Sequence, residues 1–206
     1  LTYNLTEDQS WKINTSIGRY YKIPTYTMLG FQKPIDDFVN QNAKYTQSDH
    51  AVFGVEYSPG NAARITLEGF YKKYSQYPIS IIDQVSLANK GGGFEVLGNE
   101  AITSNGKGKS YGVEALYQQK LAKNFYGVFA YTYFHSQFTT SKGKFLPSVW
   151  DSRHLISFSG GYKLKRNWEI SARWRFSGLT PYVPVDLDGS LAAYPEIVLD
   201  YSELGN

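Results

Sequence analysis

Apolar and polar residues alternate along most of this 206-residue chain. Between Trp11 and Tyr21, Trp11, Ile13, Thr15 and Ile17 fall on one side, and Lys12, Asn14, Ser16 and Gly18 on the other. Period two is the mark of a strand with one apolar face. Ala51, Phe53, Val55 and Tyr57 oppose Gly54 and Glu56, and Ile65, Leu67 and Tyr71 oppose Arg64, Thr66, Glu68 and Lys72. Tyr111, Val113, Ala115 and Tyr117 oppose Glu114, Gln118 and Lys120, with Leu116 out of phase. Phe129, Tyr131 and Tyr133 oppose Ala130, Thr132 and Ser136, an alternation weakened by Val128 and Phe134. The last pair is the cleanest. His154, Ile156, Phe158 and Tyr162 oppose Ser157, Ser159 and Gly161, and Trp168, Ile170, Ala172, Trp174 and Phe176 oppose Glu169, Ser171, Arg173, Arg175 and Ser177. With Leu1–Leu5 read as the end of another strand, the pattern predicts about eight strands, perhaps a ninth, and no helix.

The connections sort into two lengths. Tight polar turns fall at Glu7-Asp8-Gln9-Ser10, Pro59-Gly60-Asn61-Ala62, Ala122-Lys123-Asn124 and Lys165-Arg166-Asn167. Long loops alternate with them, at about 22–48, 81–107, 141–150 and from Tyr182 onward. Short turns at one rim and long loops at the other are the habit of an outer-membrane barrel, with the short turns periplasmic and the long loops extracellular. Strands longer than the ~5–6 residues usual in a globular sheet fit tilted membrane strands. Arg173 and Arg175 cannot enter a dry core without partners. Their face is therefore either the solvated side of a soluble sheet or the wet interior of a wide barrel, and the sorted connections favour the barrel.

Composition narrows the class. There is no cysteine, so neither disulfides nor thiolate metal sites are expected. No apolar run reaches the ~18 residues of a membrane helix, which leaves membrane strands open. The 18 Tyr, 12 Phe and 4 Trp suit a membrane–water interface. A net charge of +3 gives no argument for nucleic acid. Both ends of the chain read as cuts through a larger protein.

The chemical motifs carry little. Gly106-Lys107-Gly108-Lys109-Ser110 imitates a phosphate loop, but the required first glycine is Thr103 and a strand pattern follows. His50, His135 and His154 lie near strand ends without metal spacing. Asp49-His50 and Asp151-Ser152-Arg153-His154 lack a nucleophile, so no catalytic residue, metal or cofactor is expected. Asn4-Leu5-Thr6 and Asn14-Thr15-Ser16 match a glycosylation pattern that has no use in a bacterial strand or turn. In Arg173-Trp174-Arg175, period two turns the indole away from both guanidiniums, against nucleic-acid stacking.

Several segments, taken in order, resemble the C-terminal half of the barrel of TonB-dependent outer-membrane receptors of the Bacteroidetes type. They are Gly18-Arg-Tyr-Tyr-Lys-Ile-Pro-Thr-Tyr-Thr-Met-Leu-Gly30, His50-Ala-Val-Phe-Gly-Val-Glu-Tyr57, Leu67-Glu-Gly-Phe-Tyr-Lys-Lys-Tyr74 and Gly108-Lys-Ser-Tyr-Gly-Val-Glu-Ala-Leu116. Trp150-Asp-Ser-Arg-His154 and Gly178-Leu-Thr-Pro-Tyr-Val-Pro184 complete the set. The resemblance implies that residues 1–206 are part of a barrel of about 22 strands, with a plug domain absent from this chain. It also implies energised uptake of a scarce nutrient such as a siderophore, haem, cobalamin, glycan or peptide. The implied partners are outer-membrane lipid, TonB with ExbB and ExbD through the plug, and a surface lipoprotein.

On this reading Trp11, Ile13, Ile17, Phe129, Tyr131, Tyr133, Trp168, Ile170 and Trp174 face lipid. Glu68, Glu114, Gln118, Glu169, Arg173 and Arg175 face the lumen. The ligand residues are not legible. Two other architectures share the alternation: a small closed barrel with a structural or adhesive role, and a soluble all-β binding module.

Overall fold

A computed structural model of the chain describes residues 1–33, 38–91, 96–195 and 197–204. Nine strands form one antiparallel sheet: β1 (Thr2–Asn4), β2 (Trp11–Lys22), β3 (Thr46–Tyr57), β4 (Ala63–Ser80), β5 (Ile102–Ala122), β6 (Phe125–Thr139), β7 (Phe145–Pro147), β8 (His154–Lys163) and β9 (Glu169–Ser177). Each strand pairs with the next in sequence, except that β6 pairs with both β7 and β8.

Register explains why the alternation is so regular. Trp11, Tyr57, Ile65, Tyr117, Phe129, Phe158 and Trp174 are successive Cα partners across seven strands. The neighbouring row on the same face is Ile13, Val55, Leu67, Ala115, Tyr131, Ile156 and Phe176. A slip of one residue in any strand would turn its apolar set to the opposite face. Toward the long loops this face ends in a polar row, Arg19, Asp49, Lys73, Lys109 and Gln137. There Arg19 donates to Asp49 through two guanidinium nitrogens, Nε and Nη2, at 2.6 and 3.1 Å.

The apolar band runs obliquely. On β2 it ends at Trp11, whose row contains Trp174, whereas beside β9 it continues to Trp168, just before the strand. The drift is about one residue per strand. With ~3.4 Å per residue and ~4.8 Å between strands, that is a tilt of about 35°, within the range of membrane barrels.

The tight turns follow from their residues. Lys123 and Asn124, and Arg166 and Asn167, all have positive φ (48°, 70°, 61° and 61°). Such a pair gives the twist that a two-residue hairpin needs. In the first turn the Asp8 carboxylate accepts from the Ser10 amide at 3.1 Å and the Ser10 hydroxyl at 2.8 Å.

Three differences from the sequence pattern have physical causes. β4 continues to Ser80 and β5 starts at Ile102, so the second long loop is shorter than read. Beyond the apolar band both faces of these strands carry polar and aromatic residues, and period two disappears although the ladder continues. Two short helices, α1 (Tyr26–Leu29) and α2 (Leu187–Ala192), stand where none was expected. A helix of four to six residues is too brief to show a 3.6-residue period.

The sheet itself has no core. The buried apolar residues Ile79, Val85, Leu87, Ala88, Ala101, Phe138, Leu146 and Leu204 gather at the long-loop end. Along the middle of the wall, Trp11, Ile65, Phe129 and Trp174 stay exposed. The prediction is a two-sided test of the wall in a lipid bilayer. Phe158→Lys, at mid-band, should lower unfolding stability by about 2–4 kcal/mol. Thr132→Lys, beside Glu114 on the other face, should be nearly neutral. Urea titration in vesicles measures both, and equal losses would contradict the face assignment.

Candidate functional site

The register places every residue singled out from the sequence on one of two faces. Trp11, Ile13, Ile17, Phe129, Tyr131, Tyr133, Ile170 and Trp174 share the apolar face, and Trp168 extends it past the end of β9. Glu68, Glu114, Gln118, Glu169, Arg173 and Arg175 share the other.

On the polar face, Glu68 and Glu114 are direct cross-strand partners. Glu68 leans over Gly54, where a β-carbon would lie 2.6 Å from its Cγ. Lower on the same face Glu56 pairs with Lys12 at 3.5 Å and Arg64 at 3.8 Å. A trough floored by Ala130, Thr132 and Ser157 runs between Glu114 and Arg175. Near the tight turns the Tyr126 hydroxyl donates to Glu169 two strands away, at 2.5 Å. Gly161 permits this reach, since a β-carbon there would meet the Tyr126 hydroxyl at 2.5 Å.

The long loops make a folded layer with its own small core. Val85, Leu146 and Leu204, from three different loops, pack together with Val183 and Tyr201 against them. Asn89 donates to the carbonyls of Leu146 and Pro147 at 3.1 and 2.7 Å. Asn40 joins the first long loop by donating to the Glu100 carbonyl at 2.8 Å and accepting from the Ile102 amide at 3.0 Å. Lys90 sits between Asp83 and Glu100, the latter at 2.5 Å, and Ser80 donates to Glu100. Burial alone would push the Lys90 ammonium down, but the hydrogen bonds to both carboxylates outweigh it and hold its pKa above the ordinary 10.5.

Two motifs quoted separately from the sequence form one unit. Between β7 and β8 the chain bulges out at residues 148–153, and the Ser136 amide loses its ladder partner. The Asp151 carboxylate replaces it, accepting that N–H at 3.2 Å, while the Trp150 indole donates to the Ser136 hydroxyl at 3.1 Å. The bulge lies against Gly178, where a β-carbon would be 2.1 Å from the Ser152 carbonyl. Asp151 is 1 % exposed, and its other oxygen faces Arg153 Nε at 3.5 Å. Burial raises its pKa, against the opposing charge of Arg153. Contacts between segments so distant leave no trace in spacing or periodicity.

The remaining motifs resolve into packing. Gly108 makes room for Phe138, whose ring lies 2.4 Å from where a β-carbon would sit, and Gly106 lies against the Tyr77 carbonyl. Both are inside β5. Gly92 and Gly93 fall outside the described residues. His50 bonds Ser48 at 2.7 Å, His135 bonds Tyr133 at 2.7 Å and His154 bonds Tyr131 at 3.0 Å. Asp49 and Asp151 are engaged elsewhere, so neither adjacent pair is an acid–base couple. No metal-ligand grouping occurs among the described residues.

A one-sided sheet with sorted connections and a folded loop layer is matched, over residues 1–201, by the family model described as TonB dependent receptor-like, beta-barrel. The chain belongs to this family. Its strands are part of a barrel of the bacterial outer membrane. Solved structures agree on the fold. The ferric-catecholate import receptor Fiu of E. coli K12 superposes with a TM-score of 0.62 at 13% identity, covering 86% of this chain and 23% of Fiu. The ferripyoverdine receptor of Pseudomonas aeruginosa gives 0.61 at 16% identity, covering 88% of this chain and 22% of that receptor. The E. coli outer-membrane transporter YddB gives 0.55 at 10%, covering 97% and 31%. The chain thus spans about a quarter of the length of the solved receptors it matches. No curated protein sequence matches it.

Two outcomes test the loop layer. Lys90→Met leaves two half-buried carboxylates without their cation and should destabilise loop 81–101 by about 3 kcal/mol. Limited proteolysis reads this as earlier cleavage within the loop. Asp151 titrates with the opposite sign to a salt-bridged acid. Its folded pKa is raised, so the native state holds the proton more tightly and stability falls as pH rises from the ordinary 3.8 through the folded value. Asp151→Asn should abolish that slope in melts run from pH 4 to pH 7.

Proposed function

We propose that this chain is the wall and extracellular loop layer of a receptor that takes up a scarce nutrient through the outer membrane with energy delivered by TonB. The observation that carries the reading is the two-faced wall roofed by interlocked loops, in a chain of the TonB-dependent receptor family. The apolar set from Trp11 to Trp174 then faces lipid, and Glu68, Glu114, Gln118, Glu169, Arg173 and Arg175 face the lumen. Residues 1–206 are one part of the barrel domain, and the plug belongs to another part of the receptor.

The lumen face supports this. Like charges directly opposite on a sheet repel, and no ion pair reaches Glu68 or Glu114 among the described residues. Arg173 and Arg175 lack ion-pair partners in the same sense. Charges left this way in a wet lumen are matched by a plug surface or a passing ligand. TonB with ExbB and ExbD, and a lipoprotein lid over the loops, complete the assembly. The sequence motifs favour a receptor of the Bacteroidetes type. Iron chelates are the leading nutrient class, since Fiu is a ferric-catecholate import receptor and the Pseudomonas aeruginosa relative a ferripyoverdine receptor. Among the described residues no constellation for catalysis supports an enzymatic reading.

The test is growth of a receptor-deleted strain complemented with the full receptor, on a panel of ferric siderophores, haem, cobalamin and glycans as limiting nutrient. Rescue on one nutrient, lost when TonB is removed, is the expected result. Glu68→Gln with Glu114→Gln should lower uptake several-fold while ligand binding at the cell surface stays unchanged. Rescue that persists without TonB would overturn the reading.

A further inference from the structure

The charge at the tight-turn end is unevenly divided. The turn between β1 and β2 is acidic, with Glu7 and Asp8, and the turn between β3 and β4 has no charge at all. The two turns at the other side differ. Lys120 and Lys123 flank the β5–β6 turn, and Lys163, Lys165 and Arg166 flank the β8–β9 turn. The one acid nearby is Glu169, which accepts from Tyr126. None of the five cations has an ion pair among the described residues, and all are exposed. The surplus at this corner exceeds the net +3 of the whole chain.

The apolar face beside these cations is the part of the band that slides furthest toward the turns. Leu121, Phe125, Tyr162, Leu164 and Trp168 are all exposed there, Trp168 at 71%. Because β5, β6, β8 and β9 are contiguous, the two turns sit about 10 Å apart. Aromatic rings at the edge of an apolar band mark the depth of lipid headgroups. Lysine and arginine stems at that edge lay their charges among phosphates.

We propose that this corner is a docking surface for anionic phospholipid of the leaflet at the tight-turn rim, held by Lys123, Lys165 and Arg166 over the Trp168–Tyr162 girdle. Charge complementarity selects the headgroup, and the exposed girdle holds the chains. The proposal rests on the membrane-barrel reading of the previous section and adds a lipid preference to it.

The experiment uses the full receptor purified in detergent and reconstituted into vesicles of phosphatidylethanolamine with or without phosphatidylglycerol. Lipid retained on the protein is then read by native mass spectrometry. Lys123→Asn and Arg166→Asn keep a residue tolerant of positive φ in each turn, and Lys165→Gln removes the third charge. Wild type should retain phosphatidylglycerol over phosphatidylethanolamine, and the triple variant should lose that preference by about a hundredfold, at about fivefold per cation. Lys142→Gln with Lys144→Gln, in a long loop, should change nothing. Insertion without a headgroup preference, or a preference that survives the triple variant, overturns the proposal. Failure of the wild-type protein to insert at all would overturn the membrane reading with it.

Discussion

The structure depends on one constraint, that the backbone amides of the wall be satisfied sideways by the next strand. In hydrocarbon no water can replace a missing partner. From β2 to β5 the register runs unbroken along the apolar band, shifting only beyond Tyr74 toward the long loops, and this makes the side-chain alternation rigid. Along β6, where the pairing passes from β7 to β8, a buried carboxylate takes the orphaned amide of Ser136. That amide lies at the loop end of β6, clear of the apolar band.

This constraint separates the protein into two kinds of matter. The wall has two faces and no interior of its own among the described residues, and its apolar face stays exposed. The loop end is globular in character, with buried aliphatics, an aromatic cluster of Tyr74, Tyr77, Phe138 and Trp150, and paired charges. Glycines mediate between the two. At Gly108 and Gly178 the missing side chain is where another part of the molecule already lies.

What was legible in the sequence follows the same division. In the apolar band apolar and polar residues alternate with few exceptions, such as Leu116, and the side of the sheet taken by Ile170, Trp174, Arg173 and Glu114 could be read from spacing alone. Above the band the environment is mixed, and residues 102–107 looked like loop although they continue β5. The roles of Asp151, Lys90 and Asn40 were hidden for another reason. Each acts on a segment brought close only by the fold, such as Asn40 on residues sixty positions away. The Trp150–His154 and Gly178–Pro184 segments stood out as motifs, and their mutual contact is the signal that spacing could not give.

The three-way contact of Val85, Leu146 and Leu204 has a consequence for how such a receptor diversifies. A loop that shares its core with two others is not an independent cassette. Recombination that imports one loop from a relative would carry a mismatched surface into the joint interior, so exchanges that succeed should bring all three together. New specificities would then arise in blocks, or by changes at loop tips that leave the shared interior alone.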